Sequence, residues 1–198
     1  MGSQGPDSDR QKICGFEYRA NCGFTFAGEN GYEWDFDQGL RVEDVTTNST
    51  DGTFLVAQYK GNGNNDTKEE KRARVMIPEH LRNTGKNCLS FYYYPSEDII
   101  GRNFTLQVCL VPETKTARLA NCVTVWKMMD TFVYFGEWNS VSLNITTNNN
   151  FTVQVAFEAV SRQYSASKDT LNNFFIGLDD VSLQRNRPCP AQTVDRDI

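Results

Sequence analysis

Three features that mark large functional classes are scarce in this sequence. Its only histidine is His80, and no GxSxG or CxxC motif accompanies it, so a hydrolase triad or a zinc site has little to build on. No apolar run approaches the ~18 residues that a transmembrane helix needs, which predicts no direct membrane insertion by this segment. Basic residues number 20 against 25 acidic ones, a net charge of −5, and this balance argues against a nucleic-acid partner.

Helical periodicity is also missing, while alternation of apolar and polar residues, which is typical of strands, recurs along the chain. The predicted strands lie near GFEYR, GTFLVAQY, ARVMIP, CLSFYYYP, FTLQVCLV, CVTVWKMM, NSVSLNIT, NFTVQVAFEAV and FFIGLDDVSLQ. This number of strands favours an all-β sandwich of two antiparallel sheets. We predict one domain over residues 13–190, between a flexible N-terminal tail or expression remnant (1–12) and a C-terminal tail (191–198). The polar stretch 60–72 is predicted to be an exposed insertion.

Cysteines and asparagines indicate the compartment. The six cysteines are Cys14, Cys22, Cys88, Cys109, Cys122 and Cys189. An even count without CxxC spacing is typical of disulfides in an oxidising compartment, although the sequence alone leaves their connectivity open. N-glycosylation sequons begin at Asn48, Asn65, Asn103, Asn144 and Asn150, and the last three lie on the polar parity of their strands. We therefore predict an extracellular protein, secreted or part of a membrane-protein ectodomain.

The segment NFFIGLDDVSLQ contains two adjacent carboxylates in an otherwise apolar strand. Ile176 and Leu178 are at even positions and share one face of a regular strand, whereas Val181 and Leu183 are at odd positions and share the opposite face. Both pairs face the core only if the alternation slips by one residue at Asp179–Asp180, as it does in a β-bulge. Three interpretations of the acidic pair remain open: a cation site, a hydrogen-bonded turn or cap, and a strand end in solvent.

The remaining candidates for chemistry have structural interpretations. His80 lies in PEHLRN and is interpreted as a surface histidine in a turn, and we predict that the protein is not an enzyme. In FYYY, one alternating pair is predicted to face the core. The other pair is interpreted as packing against neighbouring strands or loops rather than as a recognition patch.

A series of short motifs in the same chain order resembles the MAM domain, which occurs in meprins, neuropilins and the receptor tyrosine phosphatase mu. The motifs are CGFE at 14–17, Cys22, Glu33-Trp34, DVTTNSTDGTFL at 44–55, CLSFYYY at 88–94, EWNSVSL at 137–143 and FIGLDDVSL ending before Cys189. The sequence departs from the family pattern at Val45, where the family has histidine. It also carries Cys109 and Cys122 in addition to the four usual cysteines.

The resemblance implies a jelly-roll β-sandwich and a disulfide plan. The family pattern pairs Cys14 with Cys22 and Cys88 with Cys189, which leaves Cys109 to pair with Cys122. Since Cys109 lies on the outward parity of FTLQVCL, this third bond is expected to be a surface staple.

The resemblance also implies one structural Ca²⁺ or Na⁺ ion. The family holds such an ion with acids from three segments, which correspond here to Glu17, Asp44 and Asp180, with Asp179 as a further candidate. Hard cations prefer six to eight oxygen ligands. The alternative interpretation is that the acids accept hydrogen bonds from backbone amides at a bulge, without an ion.

For function, the resemblance implies a non-catalytic extracellular adhesion or recognition module. Its partner would be another cell-surface or extracellular protein, or a second copy of itself. The alternative is a carbohydrate-binding jelly-roll module, which would need exposed aromatic side chains along a groove.

Overall fold

The structure, a computed structural model, describes residues 12–28, 32–37, 40, 42–59, 70–82, 85–99, 104–113, 121–127, 133–147, 152–161 and 175–190. The predicted tails, apart from Lys12, lie outside these ranges, as do residues 60–69 of the predicted insertion. The sequon residues Asn65, Asn103 and Asn150 lie outside them as well.

The described part contains eleven β-strands and two short 3₁₀ turns, Glu17–Arg19 and Glu97–Ile99. The strands are β1 (Lys12–Cys14), β2 (Thr25–Gly28), β3 (Tyr32–Phe36), β4 (Leu55–Tyr59), β5 (Lys71–Leu81), β6 (Gly85–Pro95), β7 (Phe104–Pro112), β8 (Asn121–Lys127), β9 (Asn139–Thr147), β10 (Val153–Ser161) and β11 (Ile176–Gln184). Among the described residues, no helix is long and apolar enough to cross a membrane.

The strands form two antiparallel sheets, which we call sheet A and sheet B. Sheet A has the order β3-β4-β11-β6-β9, and β1 also pairs with β11. Sheet B has the order β2-β5-β10-β7-β8. Few neighbours in either sheet are consecutive in the chain, as expected of a jelly roll. The predicted all-β sandwich is confirmed.

The hydrophobic core lies between the sheets because each strand directs alternate side chains inward. Phe91 of sheet A meets Phe157 of sheet B edge to face, with ring centroids 4.8 Å apart. Trp34 is buried, and its Nε1 donates a hydrogen bond of 3.0 Å to the carbonyl of Ala73 in the opposite sheet. The indole N–H is therefore satisfied inside an apolar layer that supplies most of the folding free energy.

A second apolar cluster covers the outer face of sheet A. Tyr94 stacks on Phe175 with centroids 5.7 Å apart, and Trp138 meets both Tyr94 and Phe54 edge-on. Phe91 and Tyr93 of the same FYYY stretch are buried in the main core. The interpretation of this stretch as packing is confirmed for Phe91, Tyr93 and Tyr94.

Three disulfides join all six cysteines: Cys14–Cys22, Cys88–Cys189 and Cys109–Cys122. These are the pairs that the family resemblance implies. The expectation that the third disulfide lies at the surface is wrong for one of its two cysteines, because Cys109 is fully buried while Cys122 is exposed. Cys109 does lie on the outward parity, but Val111 and Ala156 form a small apolar cluster with it on that face.

Candidate metal centre

Strand β11 contains the predicted one-residue slip. Asp179 lies opposite Tyr92 of β6, and Ser182 lies opposite Ser90, so three steps along β11 match two along β6. The extra residue bends the strand, and Asp180 takes a positive φ of 47°. As a result, Ile176, Leu178, Val181 and Leu183 all reach the same core. The prediction of a β-bulge at Asp179–Asp180 is confirmed.

The other edge of β11 is divided between two strands. β4 pairs with Ile176–Leu178, and β1 pairs with Val181–Leu183. Asp179 and Asp180 lie between these two ladders. Their carboxylates therefore sit at a gap in the sheet, where side chains from the segments beside β1 and β4 reach them.

Acidic side chains from these neighbouring segments converge on the gap. Glu17 follows β1 in a 3₁₀ turn, and Asp44 lies in the loop before β4. Asp44 and Asp179 are only 1% and 0% exposed, so both carboxylates have lost almost all contact with solvent. The structure thus brings together the acids that the resemblance names as cation ligands.

One oxygen of each aspartate has an internal hydrogen-bond donor. Asp44 Oδ1 accepts from the backbone N–H of Thr47 at 2.8 Å and from its hydroxyl at 3.1 Å. Asp179 Oδ1 accepts from the backbone N–H of Asp180 at 2.8 Å, and Asp180 Oδ1 accepts from the hydroxyl of Thr46 at 2.8 Å. These bonds match the alternative interpretation, in which donors at a bulge satisfy the acids.

Three other oxygens have no such partner. Glu17 Oε1, Asp44 Oδ2 and Asp179 Oδ2 are buried and accept no hydrogen bond. An orphaned buried oxygen costs about 1–3 kcal/mol, and more when it is charged. Amide donors therefore account for only part of the cluster, and a further positive group, either a proton or a cation, is needed to complete it.

Electrostatics confirm that the cluster is short of positive charge. Burial, reinforced by the charge of Asp44, raises the pKa of Asp179 to about 9. Burial and then the same charge also raise the pKa of Glu17 above its ordinary value. At neutral pH and without a cation, Asp179 therefore retains its proton.

The residues fit a hard cation in their chemistry. All the converging donors are carboxylate or hydroxyl oxygens, which suit Ca²⁺ and Na⁺ and are poor ligands for softer metals. Within the described ranges, no three histidine, cysteine, aspartate or glutamate side chains form a preassembled metal-ligand group. An ion would therefore have to draw Glu17, Asp44 and Asp179 closer together.

Two glycines allow the backbone to lie directly against the acidic side chains and one of their donors. A Cβ at Gly15 would lie 2.9 Å from the Thr46 hydroxyl and 3.1 Å from Asp180 Oδ1. A Cβ at Gly52 would overlap the Cβ and Cγ of Asp44. Both positions exclude larger residues because loop backbone and acidic side chains are in direct contact there.

Comparison with known families identifies the chain. The family model that matches is described as "MAM domain, meprin/A5/mu", and it covers residues 14–190. The chain belongs to the MAM family. A comparison with curated protein sequences returned no match.

Solved structures share the MAM fold at low sequence identity. The K1 cleaved adhesin domain of Lys-gingipain from Porphyromonas gingivalis has a TM-score of 0.58 and 13% identity, with coverage of 90% of this chain and 99% of that one. The second CBM22 xylan-binding domain of Xyn10C from Paenibacillus barcinonensis has a TM-score of 0.53 and 11% identity, with coverage of 88% and 98%. The tandem of both CBM22 domains of that protein gives 0.58 and 11%, with coverage of 93% of this chain and 52% of the tandem. Such identities show the fold alone.

The other predicted site residues lie away from the acidic cluster or at its margin. Asn48 is exposed in the loop that follows Asp44. Asn144 lies on the outer face of β9 as predicted, but it is only 9% exposed, and its Oδ1 accepts a hydrogen bond of 2.8 Å from the backbone N–H of Cys189. His80 is exposed but lies in β5 rather than in a turn, with its Nδ1 3.2 Å from Glu113 Oε1.

Sequence reasoning missed the threonines that hold this MAM site in shape. Thr46 and Thr47 supply hydroxyl or amide donors to Asp180 and Asp44. The local signal is Asp44 followed three residues later by Thr47, because aspartates commonly bond the backbone of residues just after them in turns. The contact from Thr46 to Asp180 spans 134 residues and has no local signal.

Proposed function

We propose that this MAM domain is a non-catalytic extracellular module that mediates contact between proteins. The observation that carries the proposal is the burial of its acidic cluster. Asp44 and Asp179, the carboxylates with the most unusual surroundings, are closed off from solvent by the fold. They serve the scaffold, so recognition is left to the outer surface of the sandwich.

The partner in this proposal is another cell-surface or extracellular protein, or a second copy of the domain. Three disulfides and the exposed sequon residue Asn48 support a secreted protein or a membrane-protein ectodomain.

We further propose that Glu17, Asp44, Asp179 and Asp180 hold one Ca²⁺ or, in its absence, Na⁺. When bound, the ion would supply the positive charge that the three orphaned oxygens lack. The carboxylates would tie the turn after β1 and the loop before β4 to the bulge of β11. Calcium titration followed by calorimetry tests this proposal directly, because binding of one ion per chain is expected in wild type and none in Asp179→Asn.

A carbohydrate-binding module remains the second candidate because Tyr134 is 68% exposed beside the Tyr94–Trp138 cluster. Exposed aromatic rings are what a sugar-binding groove needs. However, Trp138 Nε1 already donates a hydrogen bond of 2.7 Å to the carbonyl of Glu43, and Tyr94 is stacked on Phe175. The indole N–H of Trp138 is therefore already used, and one face of the Tyr94 ring is already covered. Protein contact is for this reason the better-supported proposal.

Two measurements on the glycosylated protein separate the candidates. A pentamerised form of the domain is screened against a library of extracellular proteins, while the same reagent is applied to a glycan array. The proposed function predicts saturable binding to at least one protein, which a soluble competitor domain abolishes. Binding to glycans with no protein partner, the domain itself included, would overturn it.

A further inference from the structure

Three exposed glutamate residues lie beside the aromatic cluster on sheet A. Glu97 follows β6, Glu137 lies beside Trp138, and the carbonyl of Glu43 accepts the Trp138 indole hydrogen bond. No ion pair involves any of the three in the described part of the chain. Together with Tyr134 they form what we call the acidic aromatic end. The burial of Tyr94 and the charges of Glu97 and Glu137 raise the pKa of the Tyr94 hydroxyl, which shows that both carboxylates act on the same spot.

The opposite end of the same sheet is basic. Arg82 directly follows β5, Lys86 is the second residue of β6, and Arg185 and Arg187 follow β11. These four residues form what we call the basic end. β11 runs antiparallel to β6, so its last residue lies next to Cys88, near the start of β6. None of the four has an acidic partner among the described residues.

The segment that carries two of these arginines is fixed in place. The backbone N–H of Asn186 donates to Asn87 Oδ1 at 3.2 Å, and the N–H of Cys189 donates to Asn144 Oδ1 at 2.8 Å. The disulfide from Cys88 to Cys189 closes the same segment onto β6. The positions of Arg185 and Arg187 are therefore set by the fold, which lowers the entropy lost on binding.

The two ends are too far apart to neutralise one another. β6 has eleven residues and runs from the basic end to the acidic aromatic end, a span of about 30 Å at ~3.3 Å per residue. This distance is several times the Debye length of about 8 Å at physiological ionic strength. Each end thus presents its own charge to a separate molecule.

Charges on sheet B do not cancel this pattern. Near the acidic aromatic end, Arg72 is already bonded to Glu70 and Glu158, and Lys71 has an interaction of its own. Near the basic end, Glu113 is paired with His80, and Glu79 also has a partner. The unpaired charges of the described ends are therefore concentrated on sheet A.

We infer that the basic end of one chain docks on the acidic aromatic end of a second copy. The arginines would meet the three glutamates and the ring of Tyr134, which offers a cation–π surface. Because the two surfaces differ, the contact is heterologous and propagates into open head-to-tail chains rather than closing as a two-fold dimer. This inference rests on the proposed function and specifies one partner for it.

Sedimentation equilibrium across a concentration series tests the inference. Wild type is expected to show species beyond the dimer. These species should dissociate as salt is raised from 50 to 500 mM, because the Debye length then falls from above to below its value of about 8 Å at physiological ionic strength. Glu97→Lys with Glu137→Lys should weaken association on the order of ten-fold, and so should Arg185→Glu with Arg187→Glu. Arg19→Glu, a reversal at an exposed residue of the turn after β1 that belongs to neither end, should leave it unchanged.

Mixing the two double variants is the decisive step. Each double variant alone has only one of the two complementary ends intact. In the mixture, the unchanged basic end of the Glu97→Lys, Glu137→Lys variant can meet the unchanged acidic aromatic end of the Arg185→Glu, Arg187→Glu variant, so heterodimers should form. A monomeric wild type at every concentration, or a mixture that fails to associate, would overturn the inference. If the protein screen then identifies a different partner, the proposed function stands without it; if the screen also finds none, both fail.

Discussion

Two fully buried carboxylates, one in each sheet, are compensated in different ways. Glu158 of sheet B lies between two guanidinium groups: Arg72 donates to Oε1 at 2.6 Å, and Arg74 Nε donates to Oε2 at 2.9 Å. Asp179 of sheet A has one backbone donor, an orphaned second oxygen and another carboxylate nearby. The charge of Glu158 is balanced by the chain itself, whereas that of Asp179 must be balanced by a proton or an ion from solution. Sheet A therefore depends on its solvent in a way that sheet B does not.

The largest expected effect comes from calcium and separates the two sites. At a concentration 100 times its Kd, calcium stabilises the folded state by about 2.7 kcal/mol, which raises the Tm by roughly 5–10 °C for a domain of this size. Asp179→Asn keeps the side-chain shape but removes the charge, so it should lose this shift. Scanning calorimetry with calcium and with EDTA measures both. Glu158→Gln is the matched control and should keep the full shift; an equal shift in Asp179→Asn would contradict the assigned ligand.

The second prediction concerns Glu158, whose charge the chain itself balances. Glu158→Gln removes the charge that two arginines share and should lower the free energy of unfolding by about 2 kcal/mol, below the 3–5 kcal/mol of a fully buried pair because both guanidiniums reach solvent. Urea unfolding monitored by tryptophan fluorescence gives the value, with and without calcium. Glu70→Gln is the control, because Glu70 bonds the same Arg72 from a more exposed position and should cost less than about 0.5 kcal/mol. Equal losses in both variants would mean that burial of Glu158 adds nothing.

The third prediction is the pH dependence of the calcium-free domain. The pKa of Asp179 is raised from an ordinary value near 3.8 to about 9. The folded state therefore holds a proton that the unfolded state has released, so the stabilisation is fully present below pH 4 and is lost as the pH rises toward 9. Calcium competes with that proton, so its stabilising effect should grow over the same interval. Thermal melts from pH 5 to 9 check both trends, and a flat difference between wild type and Asp179→Asn would contradict them.

The contrast between the two sites also separates what could be predicted from sequence from what could not. The bulge could be predicted because Ile176 and Val181 have opposite parity yet are both too apolar for solvent. The ion cluster of Glu158 could not, because nothing in the strand FTVQVAFEAV says that the neighbouring strand places Arg72 and Arg74 beside its outward face. Likewise, the parity of Cys109 and Asn144 was correct, but their burial depends on Ala156 and on the segment ending at Cys189. The face on which a strand residue lies follows from its local sequence, whereas the residues that bury it on an outer face are distant in the chain.

The smallest expected effect tests whether the orphaned oxygens or the satisfied ones hold the bulge in shape. Thr46→Val removes the hydroxyl that donates to Asp180 Oδ1 at 2.8 Å while keeping the side-chain volume, and it should lower the free energy of unfolding by about 1 kcal/mol. Thr53→Val, at a half-buried threonine of the same loop, is the control and should change it by less than about 0.5 kcal/mol. Calcium should reduce the loss in Thr46→Val, because an ion that binds Asp180 replaces the missing donor. A loss that calcium leaves unchanged would place Asp180 outside the ligand set and restrict the ion to Glu17, Asp44 and Asp179.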